Sequence, residues 1–503
     1  MHARQLLSLL LVLTVVFVAS CTRPDTPLPI DEQEPKVLNI GATGEPDGMD
    51  PISVAGAGTP FVLLYNVYET LVKLDPEKKP QPLLATEWVV SDDGLLYTFT
   101  LDRLAKFADG TPVNADAVVS SFQRILDGDA HGQILADFAP VKEVRAVEER
   151  TVEIELNTPS NQFLISLSTP SGIIVNPAAD PATLNQTPAG SGPYVLGEWE
   201  PGQLVKLTRN TNYWGTPTHF DEVNFRYYAD PNAMNTAMLS GQLDIISNLT
   251  VPQAITQFED SEDFVVLEGY TDGEVVLTYN HANPALAVKE VRQALNHAID
   301  RQAVVDAVWG GKGELIGSMV PPTEPWYEDL GDFYDYDPER AKELLAEAGY
   351  AEGLTLRLRV PTLPYAPLAA RSIQAQLREV GVEAAVEELE FSTWLEQVFA
   401  NKDYDMTIVA HVEPGDLPMY AMPNNYMNYD NPAFNELIAE ADRGTPEEFV
   451  EKQKEAARLL TEDAAANWLW LLPNIIITTP EISGVQENQI SLAFDVTTIA
   501  SSQ

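Results

Sequence analysis

Apolar residues along the chain follow both strand-like and helical spacings. Residues 355–360 alternate apolar and polar positions with a period of two, the pattern of a half-buried strand. Ile373, Leu377 and Val380 follow at helical spacing. A second strand-like pattern then begins at Val382. Strand, helix and strand in this order form a βαβ unit, so we expect the two strands to pair in parallel.

One further helix carries its own start and stop signals. Asp337 is a suitable N-cap, and Pro338 is a suitable first helical residue. Leu344 and Leu345 are expected to face the core. Gly349 stands where a residue with positive φ ends many helices. The spacing therefore predicts a helix from about residue 338 to residue 348.

Another amphipathic helix is indicated near residues 288–301. The apolar residues that share one of its faces are Val288, Val291, Leu295, Ala298 and Ile299. Arg292 and Arg301 are expected to lie outside that face. No fixed-period repeat accompanies these elements.

Residues 1–20 have the pattern of an export signal. Arg4 precedes an apolar run, residues 6–20, that is shorter than the roughly 20 residues of a membrane-spanning helix. The small residues before Cys21 resemble the bacterial lipoprotein signal, in which that cysteine is lipidated and becomes the mature N-terminus. An ordinary cleavage site with an incidental cysteine is the alternative. Residues 21–36, rich in Pro and acids, are then expected to be the lipidated cysteine and a flexible tether.

The charge of the chain limits its possible partners. The 75 Asp and Glu residues outnumber the 30 Lys and Arg residues, which gives a formal charge of −45. Nucleic acids and anionic membrane surfaces are therefore excluded as direct partners, because both require clustered cationic side chains. Hydrophobic residues make up 45% of the chain, enough for folded cores in about three domain-sized units. The single cysteine allows no intrachain disulfide.

Motifs for catalysis and for metal binding are missing from the sequence. The chain has no HExxH, GxSxG, Walker or GxGxxG motif. The histidines are scattered, at positions His2, His131, His219, His281, His297 and His411. We therefore expect no metal site, no cofactor and no enzymatic activity.

Eight sequence blocks occur in a fixed order along the chain. They are NVYETL (66–71), PLLATEW (82–88), SDDGLLYTFTL (91–101), KFADGTPVNADAVVSSFQR (106–124), GSGPY (190–194), NTNYW (210–214), SGQLDI (240–245) and VRQALNHAIDR (291–301). In this order and spacing they resemble the extracellular solute-binding proteins of family 5, the dipeptide, oligopeptide and nickel class that serves ABC importers. The blocks are specific to the family and not to a ligand.

The resemblance implies an α/β fold, a two-lobed clamp like the type II periplasmic binding proteins, with an extra inserted subdomain. Lobe one would comprise residues 37–58, 186–272 and 478–503. The inserted subdomain would comprise residues 59–185, and lobe two residues 273–477. The βαβ unit falls within the expected lobe two.

The resemblance also implies a function. The protein would be the lipid-anchored substrate-binding component of an ABC importer, facing the cell exterior or the periplasm as a monomer. It would capture small peptides in the cleft between the lobes and deliver them to the permease and its ATPase. Closure of the clamp on its ligand would be the signal to the importer.

Candidate ligand-binding residues come from the same resemblance. Peptide-binding members pair the backbone of the ligand with short stretches from both lobes. The lobe-one stretch would correspond to Thr43, Gly44 and Glu45. The lobe-two stretch would follow the strand at residues 404–410.

The sequence departs from the family pattern after that strand. Peptide binders have Gly-Trp there, followed by an Asp that meets the ligand ammonium, whereas this chain has His411, Val412 and Glu413. Asp416 matches the ammonium-binding position best, with Glu413 as the alternative. Either acid is otherwise an ordinary loop residue. His411 either lines the cleft or ends the strand without touching a ligand.

Two aromatic residues complete the candidates. Tyr365 lies in a loop at the carboxyl end of a predicted parallel strand, where open α/β sheets bind ligands. Trp394 occupies a position that is often aromatic in the family, and a buried helix face is its alternative role. The cargo itself stays open between a peptide and a nickel complex, haem, opine or oligosaccharide. An exported enzyme or chaperone on the same scaffold is the third possibility.

Overall fold

Strands and helices alternate along the computed structural model, which describes residues 35–412 and 415–502. The predicted export signal, Cys21, most of the tether and Glu413 lie outside the described residues. The strands are β1 Val37–Ala42, β2 Val72–Leu74, β3 Pro80–Pro82, β4 Ala85–Val90, β5 Leu96–Leu101, β6 Val141–Glu148, β7 Thr151–Leu156, β8 Tyr194–Glu200, β9 Leu204–Arg209, β10 Glu222–Tyr227, β11 Ile245–Ile246, β12 Val265–Tyr279, β13 Leu354–Pro361, β14 Val382–Leu389, β15 Met406–His411, β16 Ala466–Thr478, β17 Ile482–Ser483 and β18 Ala500–Ser501.

The helices fill the connections between these strands. They are α1 Gly58–Leu63, α2 Ala115–Leu126, α3 Gly132–Asp137, α4 Gln162–Ser166, α5 Pro231–Leu239, α6 Thr256–Glu259, α7 Lys289–His297, α8 Arg301–Trp309, α9 Pro338–Glu347, α10 Ala366–Glu379, α11 Phe391–Trp394, α12 Pro432–Arg443 and α13 Pro446–Glu462. A π-helical segment, Leu395–Ala400, continues α11.

Within the described residues, ten strands form one large sheet and four strands form a small sheet. The large sheet has the order β14-β13-β15-β12-β16-β11-β1-β10-β9-β8, and the small sheet has the order β4-β5-β7-β6. The fold is therefore mixed α/β, with strands that are distant in sequence adjacent in the large sheet.

The long strands β12 and β16 hold the two halves of the large sheet together. They pair antiparallel along most of their length, from Val265 opposite Thr478 to Thr278 opposite Ala466. The register shifts between Tyr270 and Glu274. Pro473, opposite Tyr270, cannot donate a backbone hydrogen bond, and proline inside a sheet is found mainly at such irregularities. The ribbon is thus interrupted at residues 271–273, and its register shifts once more between Val275 and Val276.

The two faces of this ribbon belong to different apolar cores. Leu277 and Trp470 lie in a cluster with the buried faces of α7, α8, α9 and α10. Val276 and Trp468 lie in another cluster, with Tyr420 and aromatic residues that follow it. Because side chains alternate across a strand, neighbouring residues of β12 serve opposite cores.

Several predicted elements are confirmed. β13 and β14 pair in parallel around α10, as expected for a βαβ unit. Helix α9 begins after Asp337, whose side chain accepts a hydrogen bond from the Arg340 backbone N–H. Gly349, just beyond its end, has a φ of +91°. These signals are local, which explains why sequence reasoning could find them.

The prediction for Arg292 is wrong. This residue of α7 is buried, although we expected it outside the apolar face. Its guanidinium donates hydrogen bonds to the backbone carbonyls of Leu286, Asp463 and Ala464. A charged side chain can be buried when carbonyl oxygens satisfy its donors, and here two of those carbonyls belong to a distant part of the chain.

Candidate functional site

The carboxyl end of β15 brings His411 opposite Glu274 of β12. The two residues are paired in the antiparallel register, so their side chains leave the sheet on the same face. Nε2 of His411 lies 2.9 Å from the hydroxyl of Tyr426, and that hydroxyl lies 3.3 Å from Oγ1 of Thr278. Burial lowers the pKa of His411 to about 4. The imidazole is therefore neutral near pH 7 and adds no positive charge here.

Asp416 lies five residues beyond His411, the last residue of β15, and directly precedes the 3-10 turn Leu417–Ala421. Gly415, before it, has a φ of +68°, a conformation that favours glycine. Burial is the main reason that the pKa values of Glu274 and Tyr420 are raised, and the charge of Asp416 adds to the rise in both. Asp416 and Glu274 thus share one electrostatic environment.

Glu274 is a buried acid in the middle of the molecule. Only 2% of the residue is exposed to solvent, and its Oε2 has no hydrogen-bond partner among the described residues. Burial first, and then the charges of Asp416 and Asp272, hold the pKa of this carboxyl well above its usual range. The protonated form is favoured because an ionised carboxylate loses its hydration in such a place.

Lys78 forms a buried contact that we call the ionic joint, together with Asp272 and Glu324. Its Nζ lies 2.7 Å from Oδ2 of Asp272 and 2.5 Å from Oε1 of Glu324. Burial alone would lower the pKa of Lys78, but the two carboxylates outweigh it and raise the pKa. Lys78 lies in the turn between β2 and β3, where the side chain of Asp75 accepts from the backbone N–H groups of neighbouring residues.

A second contact, which we call the helix-end joint, connects residues 160–162 with the end of α12. The Asn161 side chain donates to the carbonyls of Ala441, Asp442 and Gly444, at distances of 2.8–3.3 Å. The Ser160 hydroxyl donates to Oδ1 of Asp442 at 2.9 Å. The last carbonyls of a helix have few partners within it, so the Asn161 side chain adds donors at the end of α12, where the backbone N–H of Gly444 already donates to Ala441.

Tyr365 and Trp394 both lie against β15. The Tyr365 hydroxyl accepts a hydrogen bond from the backbone N–H of Ala410 at 2.8 Å. Nε1 of Trp394 donates to Oγ1 of Thr407 at 3.0 Å. Both side chains are buried and so support the strand that ends at His411. Their contact with a ligand stays a prediction.

The stretch Thr43, Gly44 and Glu45 follows β1, a strand paired in parallel with β10 and β11. Thr43 and Gly44 are exposed, whereas Glu45 is half-buried. Oε1 of Glu45 accepts a hydrogen bond from the backbone N–H of Gly202 at 2.7 Å. The Glu45 carbonyl oxygen would stand 2.3 Å from a Cβ at Gly58, so only glycine fits there.

The structure thus gathers His411, Asp416 and Glu274 at one place. Trp394 packs against Tyr426 on the same face of β15 as His411, whereas Tyr365 lies in the core on the other face. Sequence reasoning missed Glu274 and the ionic joint. The signal for Glu274 was its position in EVVLTY, where it has the same alternating parity as the buried Val276 and Thr278. The ionic joint had no local signal.

Neither a metal centre nor a membrane span is found in the described part of the chain. Its His, Asp and Glu residues form no group that could hold a metal ion. None of its helices is long and apolar enough to cross a membrane.

Residues 79–433 match the family model described as bacterial extracellular solute-binding proteins, family 5. The chain is 28% identical to the probable D,D-dipeptide-binding periplasmic protein DdpA of Escherichia coli, over 92% of this chain and 94% of that protein. It is also 28% identical to heme-binding protein A of Haemophilus influenzae, over 79% of this chain and 80% of that protein.

A solved structure has the same fold. It is the periplasmic binding protein DppA of Helicobacter pylori in complex with the peptide STSA, with a TM-score of 0.79 and 22% identity over 94% of this chain and 99% of that one. These matches are to solute-binding proteins and not to enzymes. The chain therefore belongs to family 5 of the bacterial extracellular solute-binding proteins, the substrate-binding components of ABC importers.

Proposed function

We propose that this protein captures short peptides in a cleft between two lobes and presents them to an ABC permease and its ATPase. Lobe one would comprise residues 37–58, 186–272 and 478–503, with residues 59–185 inserted, and lobe two would comprise residues 273–477. The interruption of the β12–β16 ribbon at residues 271–273 supports this division, because it coincides with one proposed boundary.

The observation that carries the proposal is the acidic site where β15 ends. Asp416 is the proposed partner of the ligand's N-terminal ammonium, and Glu413 is the alternative. An ammonium paired with a carboxylate makes strong, charge-assisted hydrogen bonds. The neutral His411 would border the same place without repelling a cation. The name of the relative DdpA includes a dipeptide as its ligand, and a dipeptide has an ammonium of this kind, which favours a peptide as cargo.

The remaining candidates would shape the cleft. Thr43, Gly44 and Glu45 would offer backbone groups to an extended ligand, in the manner of strand addition. The exposure of Thr43 and Gly44 is consistent with that role. Tyr365 and Trp394 would act chiefly by fixing β15.

Cys21 is the proposed anchor. Acylation there would hold the protein, as a monomer, on the outer side of the membrane. A lipid anchor would be needed, because a chain of charge −45 has no attraction of its own for an anionic surface. We expect the full chain expressed in bacteria to sediment with membranes and Cys21→Ser to leave that fraction. Release of both forms alike would contradict the anchor.

Native mass spectrometry of the chain from residue 22 onward tests the cargo. We expect adducts with a series of peptide masses on protein purified without denaturation. Asp416→Asn should lose these adducts, and Asp430→Asn, at an exposed loop acid, should keep them. Equal adducts on both variants would remove Asp416 from the site.

Haem is the second candidate cargo, because a relative of comparable identity is named for it. A single adduct with the mass and visible absorption of haem, in place of the peptide series, would favour this candidate. The clamp would then be retained and the peptide proposal would fail.

A further inference from the structure

This inference rests on the proposed function and concerns the buried acid Glu274, whose carboxyl group is not fully hydrogen-bonded within the fold. Its Oε2 is enclosed, and no described residue donates a hydrogen bond to it. A buried carboxyl oxygen without a donor destabilises the folded protein. An unsatisfied buried group in a native protein calls for a specific explanation, such as strain, a functional role or a bound water or ion.

The position of Glu274 points the same way. It lies opposite His411, and the next residue on the same face of β12, Val276, lies opposite Trp468. The ring of Trp468 packs 5.8 Å from that of Tyr420, which follows Asp416 by four residues. Glu274 and Asp416 therefore border the same space at the end of β15.

The charges around Glu274 leave it without a strong cationic partner among the described residues. Lys78 already contacts Asp272 and Glu324 within the ionic joint. The charged and titratable groups that act on this place from the surrounding elements are Asp272, Lys78, Glu324, His411, Asp416, Tyr420 and Tyr426. Acids outnumber cations in this set, so an added positive charge would be stabilised there.

We infer that Glu274 and Asp416 together bind one cationic group of the solute, an ammonium or a guanidinium, and that binding expels one proton. In the ligand-free protein Glu274 carries that proton, because burial and the neighbouring acids raise its pKa. The arriving cation stabilises the carboxylate, and the proton passes from Glu274 to the solvent. The site thus loses one proton when it takes up one cation.

Isothermal titration calorimetry of the chain from residue 22 onward tests this inference. Trialanine, N-acetyl-trialanine and spermidine are titrated at pH 7 in two buffers of different ionisation enthalpy. We expect trialanine to bind with release of about one proton, and N-acetyl-trialanine to bind at least tenfold more weakly. Glu274→Gln should abolish the proton release and weaken trialanine at least tenfold. Glu268→Gln, at an exposed acid on the same strand, should change neither.

The outcomes separate the inference from the proposed function. Trialanine binding without proton release, or with release that persists in Glu274→Gln, would overturn the inference and leave the peptide proposal intact. Spermidine binding that depends on Glu274, without trialanine binding, would support the inference and overturn the peptide proposal. If neither probe binds, both fail. A Glu274→Gln protein whose thermal midpoint is unchanged or higher is folded, so weakened binding cannot then be ascribed to misfolding.

Discussion

The ionic joint and the helix-end joint connect residues 59–185 to the rest of the molecule through different chemistry. The ionic joint places one ammonium against two carboxylates, with side chains at most 7% exposed. The helix-end joint is made mainly of neutral donors on backbone carbonyls. Its one acid, Asp442, has a pKa raised by burial despite the donors around it. The comparison indicates that the first joint depends on charge balance and the second on hydrogen-bond geometry.

The largest expected effect comes from Lys78→Met. Removal of the ammonium leaves Asp272 and Glu324 buried together, and breaking a buried pair in this way costs about 3–5 kcal/mol. Urea denaturation followed by tryptophan fluorescence measures the change in the free energy of unfolding. Lys79→Met, at the exposed neighbour, serves as the control and should have little effect. A loss below about 1 kcal/mol for Lys78→Met would mean that the joint is dispensable.

A smaller loss is expected for Asn161→Ala. This change removes the three side-chain hydrogen bonds from Asn161 to part-buried carbonyls at the end of α12, at a cost of about 1–3 kcal/mol. The same urea titration measures it, with Asn157→Ala at an exposed position as the control. Hydrogen exchange should be faster in the last turn of α12 in the variant. Unchanged exchange there would argue against the proposed role of Asn161.

Glu274→Gln should raise the free energy of unfolding of the ligand-free protein, by about 1 kcal/mol, whereas the two preceding variants lower it. A carboxyl whose pKa is raised on folding binds more protons in the folded state, so it costs stability as pH rises above its ordinary value of 4.5. The variant should therefore unfold at a higher temperature than the wild type at pH 8. The difference should disappear near pH 4, where the carboxyl is protonated in both states. A constant difference at all pH values would contradict the burial argument.

The smallest effect is expected for Asp442→Asn, within about 0.5 kcal/mol at neutral pH. The amide keeps an oxygen that can accept from the Ser160 hydroxyl and the backbone N–H of Gln162. Asp272→Asn at the ionic joint should cost more, because Lys78 loses one of its two carboxylates. Equal losses for the two variants in urea titrations would remove the distinction between the joints.

How far the sequence predicts this molecule depends on how local each signal is. The βαβ unit and the caps of α9 are specified within about 35 and 15 residues of chain. The position of Asp416 followed from a resemblance, and its role stays a prediction. Lys78 could not be identified as buried, because its partner Glu324 is 246 residues away. The burial of Arg292 depends in the same way on carbonyls about 170 residues away.

The place of β16 in the large sheet affects how the protein can be made. This strand lies between β12 and β11, although β12 ends at Tyr279 and β16 begins only at Ala466. The two halves of the sheet therefore cannot join through β16 before synthesis has passed residue 478. Domains generally fold as units during synthesis once their residues are present. Until then the edges of β12 and β11 that pair with β16 have no partner strand, so the two halves of the sheet can form only as separate pieces.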